Sequence, residues 1–461
     1  MYMSKQVTLN VVKLNDTLIP MKHQQKVVDF ITNDKNKAIL VYHSVGLGKT
    51  YTSLFAAKSI IENNKNKHVI IATPASLVSN FEKSVDNLGL SFKNKIKIES
   101  YQKLSRYFSK HGYGICLNAV LIIDESHNLN GGGIIFNHFF ECAKKAYKVI
   151  LLSGTLVKNS PGEISKQLSL LEGIKVNNTI IDSMTNIADD KRRRRLFSQF
   201  FKCKISIVNK QEDDNHYPTV KQHVVDLKMT KKYYDEYYNI QEDIRSDLPD
   251  FLENTKNITV FLNGIRRATN KTKTLSPKIK WIIQKIVKDY NDGKKILIYS
   301  NWIDTGIVIL KQILTSEKIK FSSVIGGMTK KEKDLNIKNY NDGKTKIMLI
   351  SASGSEGLDL KETRTVIIME PYWNKTRILQ VIGRASRYNS HAKLPEDKRI
   401  VDVYHLILSK PDKKDREYGD NIESADDILW GKSEDKQDFI NVFYDTLEKI
   451  SIEKDPSCFA K

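Results

Sequence analysis

The chain has 461 residues and a formal net charge of +20, from 74 Lys and Arg against 54 Asp and Glu. Its 40% apolar and 28% charged composition reads as soluble and globular, with length for two or three domains. No run of 18 apolar residues offers a spanning helix, and MYMSKQVTLN lacks the basic start and apolar stretch of a signal peptide, so neither a membrane partner nor secretion is expected.

The basic surplus suits a polyanionic partner, because each Lys or Arg that neutralises a phosphate releases counterions. Part of it also follows from AT-rich codons, since Lys and Asn abound together. The four cysteines, at 116, 142, 203 and 458, form no CxxC pair. Neither a zinc site nor a disulfide framework is expected, and a reducing intracellular compartment is the simpler reading.

Short apolar runs at 38–42 (AILVY), 68–72 (HVIIA), 119–124 (AVLIID) and 148–153 (KVILLS) predict strands, each followed by a turn and a helical pattern. From about 186 to 275 the rhythm breaks, with KRRRR (191–195), QEDD (211–214) and KKYYDEYYNIQEDI (231–244). We read this stretch as a helical insertion and linker. The basic run suits either a phosphate clamp or a solvated helix face, and the tyrosines suit core packing better than base stacking.

Strand signals resume at 294–300, 345–351, 364–370 and 400–408. Beyond 410 a charged helical tail carries Phe439, Val442, Phe443, Leu447 and Ile450 at helical spacing. The expectation is an α/β fold with two parallel-sheet domains, at 1–205 and 276–410. An insertion and linker at 206–275 separates them, and a tail occupies 411–461.

Three constellations carry chemistry. In HSVGLGKT (43–50), Gly46 and Gly48 permit a cup of backbone N–H groups ahead of a helix. Lys49 would reach the β- and γ-phosphates and Thr50 would ligate Mg²⁺. His43 stands where this pattern wants Gly or Ala. Next, Asp124 and Glu125 follow an apolar strand, at the edge where parallel sheets bind ligands. Asp124 suits Mg²⁺ and Glu125 suits orienting and deprotonating the attacking water; an acidic helix cap is the bland alternative. Finally, Arg384 and Arg387 in QVIGRASR (380–387) lie three apart, on one face if helical, with Gln380 four residues before Arg384. Arginines there would stabilise charge on a transferring phosphoryl group.

Taken in order, these residues resemble helicase superfamily two. Gln24 in LIPMKHQQ resembles its adenine-reading glutamine, HSVGLGKT motif I, ATPASL (72–77) motif Ia, DESH (124–127) motif II and SGT (153–155) motif III. YSNW (299–302) resembles motif IV, SGSEGLDL (353–360) motif V and QVIGRASR motif VI. GLGKT, SGTLVKN, FLNGIRRATN (261–270) and YWN (372–374) lean toward the SWI/SNF-type branch. The segment SEGLDL through DVY resembles the nucleoside triphosphate phosphohydrolase I and early transcription factor small-subunit group of poxviruses and other large cytoplasmic DNA viruses.

The resemblance implies two tandem RecA-like domains, with ATP and Mg²⁺ as cofactors. It adds Gly357 and Asp359 of motif V and Gln380 to the nucleotide-binding set. It makes His127, Ser153 and Thr155 residues that couple the nucleotide site to a nucleic acid, and Thr73, Ser76, Asn301 and Ser353 backbone contacts. It implies a nucleic-acid-dependent ATPase and translocase, on DNA in preference to RNA, in viral transcription: termination and transcript release, or early promoter opening. A viral RNA polymerase or a second transcription-factor subunit is the implied protein partner, and the cytoplasm, as viral factory or virion, the implied location. A strand-separating helicase of replication or repair and a non-hydrolysing binding module remain as alternatives. Retention of Lys49, Asp124, Glu125, Arg384 and Arg387 argues against the last.

Overall fold

Six strands build the first sheet: β1 (Ala38–His43), β2 (His68–Thr73), β3 (Ile96–Ser100), β4 (Ala119–Ile123), β5 (Lys148–Ser153) and β6 (Ile205–Val208). Their order is β3-β2-β4-β5-β1-β6, with every pair parallel. Alternate residues of one strand feed opposite cores, as the two-residue repeat of a strand requires. Leu40, Ile70, Leu121 and Leu151 enter one core, and Ile39, Val41, Ile71, Ile122 and Ile150 the other. Burial of both faces is why these strands read as unbroken apolar runs.

The computed structural model describes residues 6–8, 11–14, 17–44, 46–157, 160–209, 216–246, 255–352, 358–373, 375–417 and 419–459. Three short strands, Gln6–Thr8, Val11–Leu14 and Thr17–Ile19, form an antiparallel sheet of their own ahead of helix α1 (Lys22–Thr32). Helix α2 (Lys49–Asn63) follows β1 and buries Leu54, Ala56, Ala57, Ile60 and Ile61 against the sheet's second core.

The second sheet has β7 (Thr219–Lys228), β8 (Lys295–Ser300), β9 (Phe321–Val324), β10 (Ile347–Ser351), β11 (Thr363–Ile368) and β12 (Ile400–Ser409). Its order is β7-β12-β11-β8-β10-β9, again wholly parallel. Helix α3 (Lys375–Ala385) covers part of one face through Ile378, Val381, Ile382 and Ala385. Helix α4 (Ala425–Lys449) is the longest described.

Two compact units result, residues 1–212 with 436–461, and residues 213–435. This corrects the expected boundaries at both ends. The stretch 206–275 is not a helical insertion alone: it holds most of β6, which closes the first sheet's edge, and β7, which closes the second's. Strand β7 lacks the unbroken apolar run of a central strand because TVKQHVVDLK is an edge strand whose exposed positions are polar except for Val224. The tail divides likewise. Ile440, Phe443, Leu447 and Ile450 of the segment after 436 are buried in a core of unit 1, whereas Val442 is exposed.

The tyrosines do pack as core. Tyr233, Tyr234 and Tyr237 are buried with Leu262, Ile265 and Leu429. The KRRRR run lies on a helix, Asp190–Phe201. Arg193 is buried there, donating to Thr446 Oγ1 (2.9 Å), the Ile187 carbonyl (2.6 Å) and Asp190 (2.7 Å), while Lys191, Arg192 and Arg195 are exposed.

The cysteine expectation is overturned. Cys116 pairs with Cys142 and Cys203 with Cys458, at Cα separations of 5.3 and 5.2 Å. Their sequence separations of 26 and 255 residues carry no local signature; the fold, not spacing along the chain, brings them together. Among the described residues, no helix is long and apolar enough to cross a membrane.

Candidate nucleotide site and its carboxylates

Strand β1 ends at His43 and α2 begins at Lys49, so the intervening turn must reverse within five residues. It does so with Gly46 at φ 96° and Gly48 at φ 73°, left-handed positions that favour glycine. Gly48 is the N-cap of α2, and the first N–H groups of that helix have no intrahelical acceptors. Lys49 Nζ donates to the carbonyls of His43 (2.7 Å) and Ser44 (3.5 Å), at the root of the loop. Thr50 is the helix's second residue. Gln24 is fully buried in α1 and aims its amide at the carbonyls of Leu47 (3.5 Å) and Gly48 (3.4 Å); His23 bonds Leu47 O at 3.0 Å. A glutamine predicted to read a base is thus also fastened to the phosphate loop.

The carboxylates stand beyond the end of β4. Asp124 is buried, and its Oδ2 accepts from Thr73 Oγ1 at 3.0 Å. Burial pushes its pKa up to about 7, the neighbouring Glu125 charge adds to the rise, and the Thr73 bond and the Lys49 charge oppose it. Tyr101 donates its hydroxyl to the Asp124 carbonyl. A carboxylate held so uncomfortably, with a threonine hydroxyl beside it and oxygen donors only, fits a hard cation such as Mg²⁺. Among the described residues no group of three or more His, Cys, Asp or Glu forms a denser metal centre.

Glu125 sits at φ 50°, in the left-handed region, where a side chain costs about 1 kcal/mol or more. Such strain gathers at functional sites. The turn carries the chain into a short helix, Ser126–Leu129, that returns His127 toward β5. His127 Nδ1 lies 2.9 Å from Ser153 Oγ and 3.3 Å from Glu125 Oε2. Ser153 Oγ in turn donates to the Thr155 carbonyl and accepts from the Thr155 N–H at 3.0 Å. His127, Ser153 and Thr155 are therefore joined by hydrogen bonds, and Glu125 lies beside the first of them.

The remaining predicted residues are dispersed. Thr73 is fully buried with its hydroxyl on Asp124, so this geometry makes it a support for the carboxylate rather than a surface contact. Ser76 is exposed. Asn301 is half-buried and tied to Glu370 through its backbone N (2.9 Å) and Nδ2 (3.3 Å). Ser353 and Gly357 lie outside the described residues.

In unit 2, Arg384 occupies the last turn of α3, half-buried, as is Gln380 one turn earlier. The helix stops at Ala385, so Arg387 does not share a helical face with Arg384. Asp359 Oδ1 lies 3.8 Å from Arg387 Nη1, a loose ion pair. Motif V and motif VI residues thus meet through that pair.

Sequence reasoning missed Glu370, just past β11. This buried carboxylate accepts from Ser300 Oγ (2.7 Å), Asn301 N and Nδ2, and Asn270 Nδ2. Its donors come from two stretches of chain 70 and 100 positions before it, which no local pattern could reveal.

Comparison with known proteins shows the family. Residues 17–158 match the family model for the type III restriction enzyme res subunit, and residues 277–389 match the helicase conserved C-terminal domain. The chain is 30% identical to a protein of Acanthamoeba polyphaga mimivirus named as an ATP-dependent RNA helicase, L538, over 97% of this chain and all of the relative. It is 23% identical to the termination factor NPH-I homolog of African swine fever virus, over 91% of this chain and 76% of that one. The helicase domain of Hef from Pyrococcus furiosus has a similar fold at 15% identity, with a TM-score of 0.50 over 86% of this chain and 96% of that one.

Proposed function

The chain belongs to helicase superfamily two, close to the viral nucleoside triphosphatase I group, and hydrolyses ATP; from that premise we propose that it is a DNA-dependent translocase acting in viral transcription. The observation that carries the reading is the hydrogen-bonded run from His127 through Ser153 to Thr155, with Glu125 Oε2 3.3 Å from the same His127 nitrogen. It ties the residue that would handle the attacking water to the turn after β5, so occupancy of a track can be felt by the catalytic carboxylate.

In the proposed cycle Lys49 leaves the His43 and Ser44 carbonyls for the β- and γ-phosphates, which the N–H groups at the start of α2 also hold. Thr50 and Asp124 would hold Mg²⁺, which when bound neutralises charge on the phosphate oxygens. Asp124 would then be ionised, since a cation beside it reverses the cost of its burial. Glu125 orients the attacking water and takes its proton. Arg384 and Arg387 supply positive charge to the transferring phosphoryl group, and the residue-level assignments follow motif position. Ser76 and Asn301 would touch the backbone of the track, giving binding that weakens with salt and reads little sequence.

The name of the termination-factor relative supports a role in viral transcription; DNA as the track, a viral cytoplasmic setting and a polymerase or second factor as partner belong to the same proposal and follow from the family resemblance. The mimivirus relative's name favours RNA and supplies the second reading, an RNA helicase. Steady-state ATP hydrolysis with single-stranded DNA, duplex DNA or RNA separates them, with Glu125→Gln as the control for contaminating activity. Stimulation by DNA, absent in the control, is expected. Stimulation by RNA alone would replace the DNA reading with the RNA one.

A further inference from the structure

His43 stands where a phosphate loop ordinarily has a small residue, and the structure shows what occupies the extra space. Its ring is wholly buried, with Nε2 2.8 Å from Ser206 Oγ. Ser206 lies on β6, the edge strand that pairs with β1; Val41 is opposite Ser206 and His43 opposite Val208. Ser206 Oγ donates to Glu453 Oε1 at 2.6 Å, and the Ile207 N–H donates to Glu453 Oε2 at 2.8 Å. Since the serine's one proton goes to the carboxylate, its oxygen accepts from His43 Nε2–H, which fixes the neutral tautomer of the ring. Burial and the neighbouring His23 and Lys49 charges hold that imidazole well below its ordinary pKa, consistent with this assignment.

Glu453 comes from the end of the chain, 410 positions after His43. The segment that carries it is held at several points. Ile452 N donates to the Ile205 carbonyl at 2.9 Å, Lys26 Nζ reaches the Glu453 carbonyl at 3.3 Å, and Cys458 is bonded to Cys203. Ile452 and Cys458 are buried in the same core as α2. At the other end, the His43 carbonyl accepts from Lys49 Nζ, and the ring packs edge-on against His23, which bonds Leu47 O.

We infer that Glu453, Ser206 and His43 form a strut by which the C-terminal segment positions the phosphate loop, making these three positioning residues for ATP binding. Burial raises the Glu453 pKa, while the bonds from Ser206 and the Ile207 N–H oppose that rise and favour the carboxylate; a carboxylate accepting two donors is a stronger anchor than a neutral pair, and it fixes the strand end from which the loop springs. A glycine or alanine at 43 could not transmit that anchorage. The inference rests on the phosphate-loop reading of residues 43–50.

The test is ATP titration of hydrolysis at saturating nucleic acid, with binding of a fluorescent ATP analogue, for Ser206→Ala, Glu453→Ala, His43→Ala and His43→Gln, each confirmed folded by its melting curve. We expect KM for ATP to rise about fivefold or more in the three alanine variants, the size of a lost charge-assisted contact, with kcat within about twofold. Glutamine places an amide donor near the Nε2 position, so His43→Gln should restore KM. The Ser206→Ala/Glu453→Ala double variant should be no worse than the more affected single one. A lower melting temperature with KM unchanged in folded Ser206→Ala and Glu453→Ala would overturn the inference. If Glu453→Ala does not fold, Ser206→Ala, which removes one hydroxyl, decides alone. Lys49→Ala separates the two levels: if it hydrolyses ATP normally, the phosphate-loop reading itself fails.

Discussion

Each sheet ends one central strand in a carboxylate, and the two carboxylates live very differently. Asp124, past β4, has one side-chain hydroxyl donor, a second carboxylate next to it and a pKa pushed up to about 7. Glu370, past β11, is as deeply buried but accepts from two side-chain amides, a hydroxyl and a backbone N–H. The first is short of positive partners and suited to a cation. The second has its lone pairs filled and serves to fasten the 270, 300 and 370 stretches together. The same strand edge in two sheets of one architecture thus yields a reactive site in one and a structural knot in the other. The fold supplies the position, and the donors around it decide the chemistry.

The turns after β1 and after β8, each a strand inside its sheet, make the same point. After β1 the chain uses two left-handed glycines and a lysine at the start of a helix. After β8 it uses Asn301 and Trp302, and Gly306 lies where an added Cβ would collide with Ser300 Oγ. That glycine serves close packing, not a phosphate cup.

The contribution of unit 2 to catalysis should therefore come from arginine, not from its carboxylate. Arg384→Ala is expected to lower kcat by about 10³-fold or more, the usual weight of an arginine acting on phosphoryl transfer, with the melting temperature nearly unchanged. A loss under tenfold would remove Arg384 from the site. A smaller effect is expected from Ser153→Ala, which cuts the link from His127 to Thr155. Basal hydrolysis should persist while stimulation by nucleic acid falls about tenfold, within the usual range of coupling between two sites. Equal losses with and without nucleic acid would make the link structural.

The smallest effect concerns stability. Asp124 binds its proton more tightly folded than unfolded, so the protein without divalent ion loses stability as pH rises from about 4 toward 7. Asp124→Asn has no such proton to lose. Its melting temperature should overtake that of the parent by a few degrees across this window and hold the gain above it. A constant difference from pH 4 to 8 would show that Asp124 keeps an ordinary pKa.

The sequence made much of this legible, for definable reasons. The buried central strands announce themselves because both faces are apolar, and HSVGLGKT and DESH because phosphate and cation chemistry need particular residues at fixed offsets. Edge strands β3, β6, β7 and β9 were invisible, being short or polar on one side. The assignment of 206–275 to a helical insertion and linker missed β6 and β7 for that reason. The cysteine pairs, Glu370 and the Glu453 anchor unite residues 26 to 255 positions apart, where no periodicity operates. Arg387 was expected on a helix that ends two residues earlier. Only His43 gave a hint, as a large residue at a position that wants a small one.

The most direct test of the contrast between the two edges is ATP turnover with Mg²⁺ and saturating nucleic acid, measured side by side for the parent, Asp124→Asn and Glu370→Gln below their melting temperatures. The account predicts that Asp124→Asn loses about 10²-fold or more, as expected when a metal-holding carboxylate is removed, while Glu370→Gln melts earlier but turns over within about threefold of the parent, an amide still accepting part of its hydrogen bonds. Normal turnover by Asp124→Asn, or equal losses in both, would contradict it.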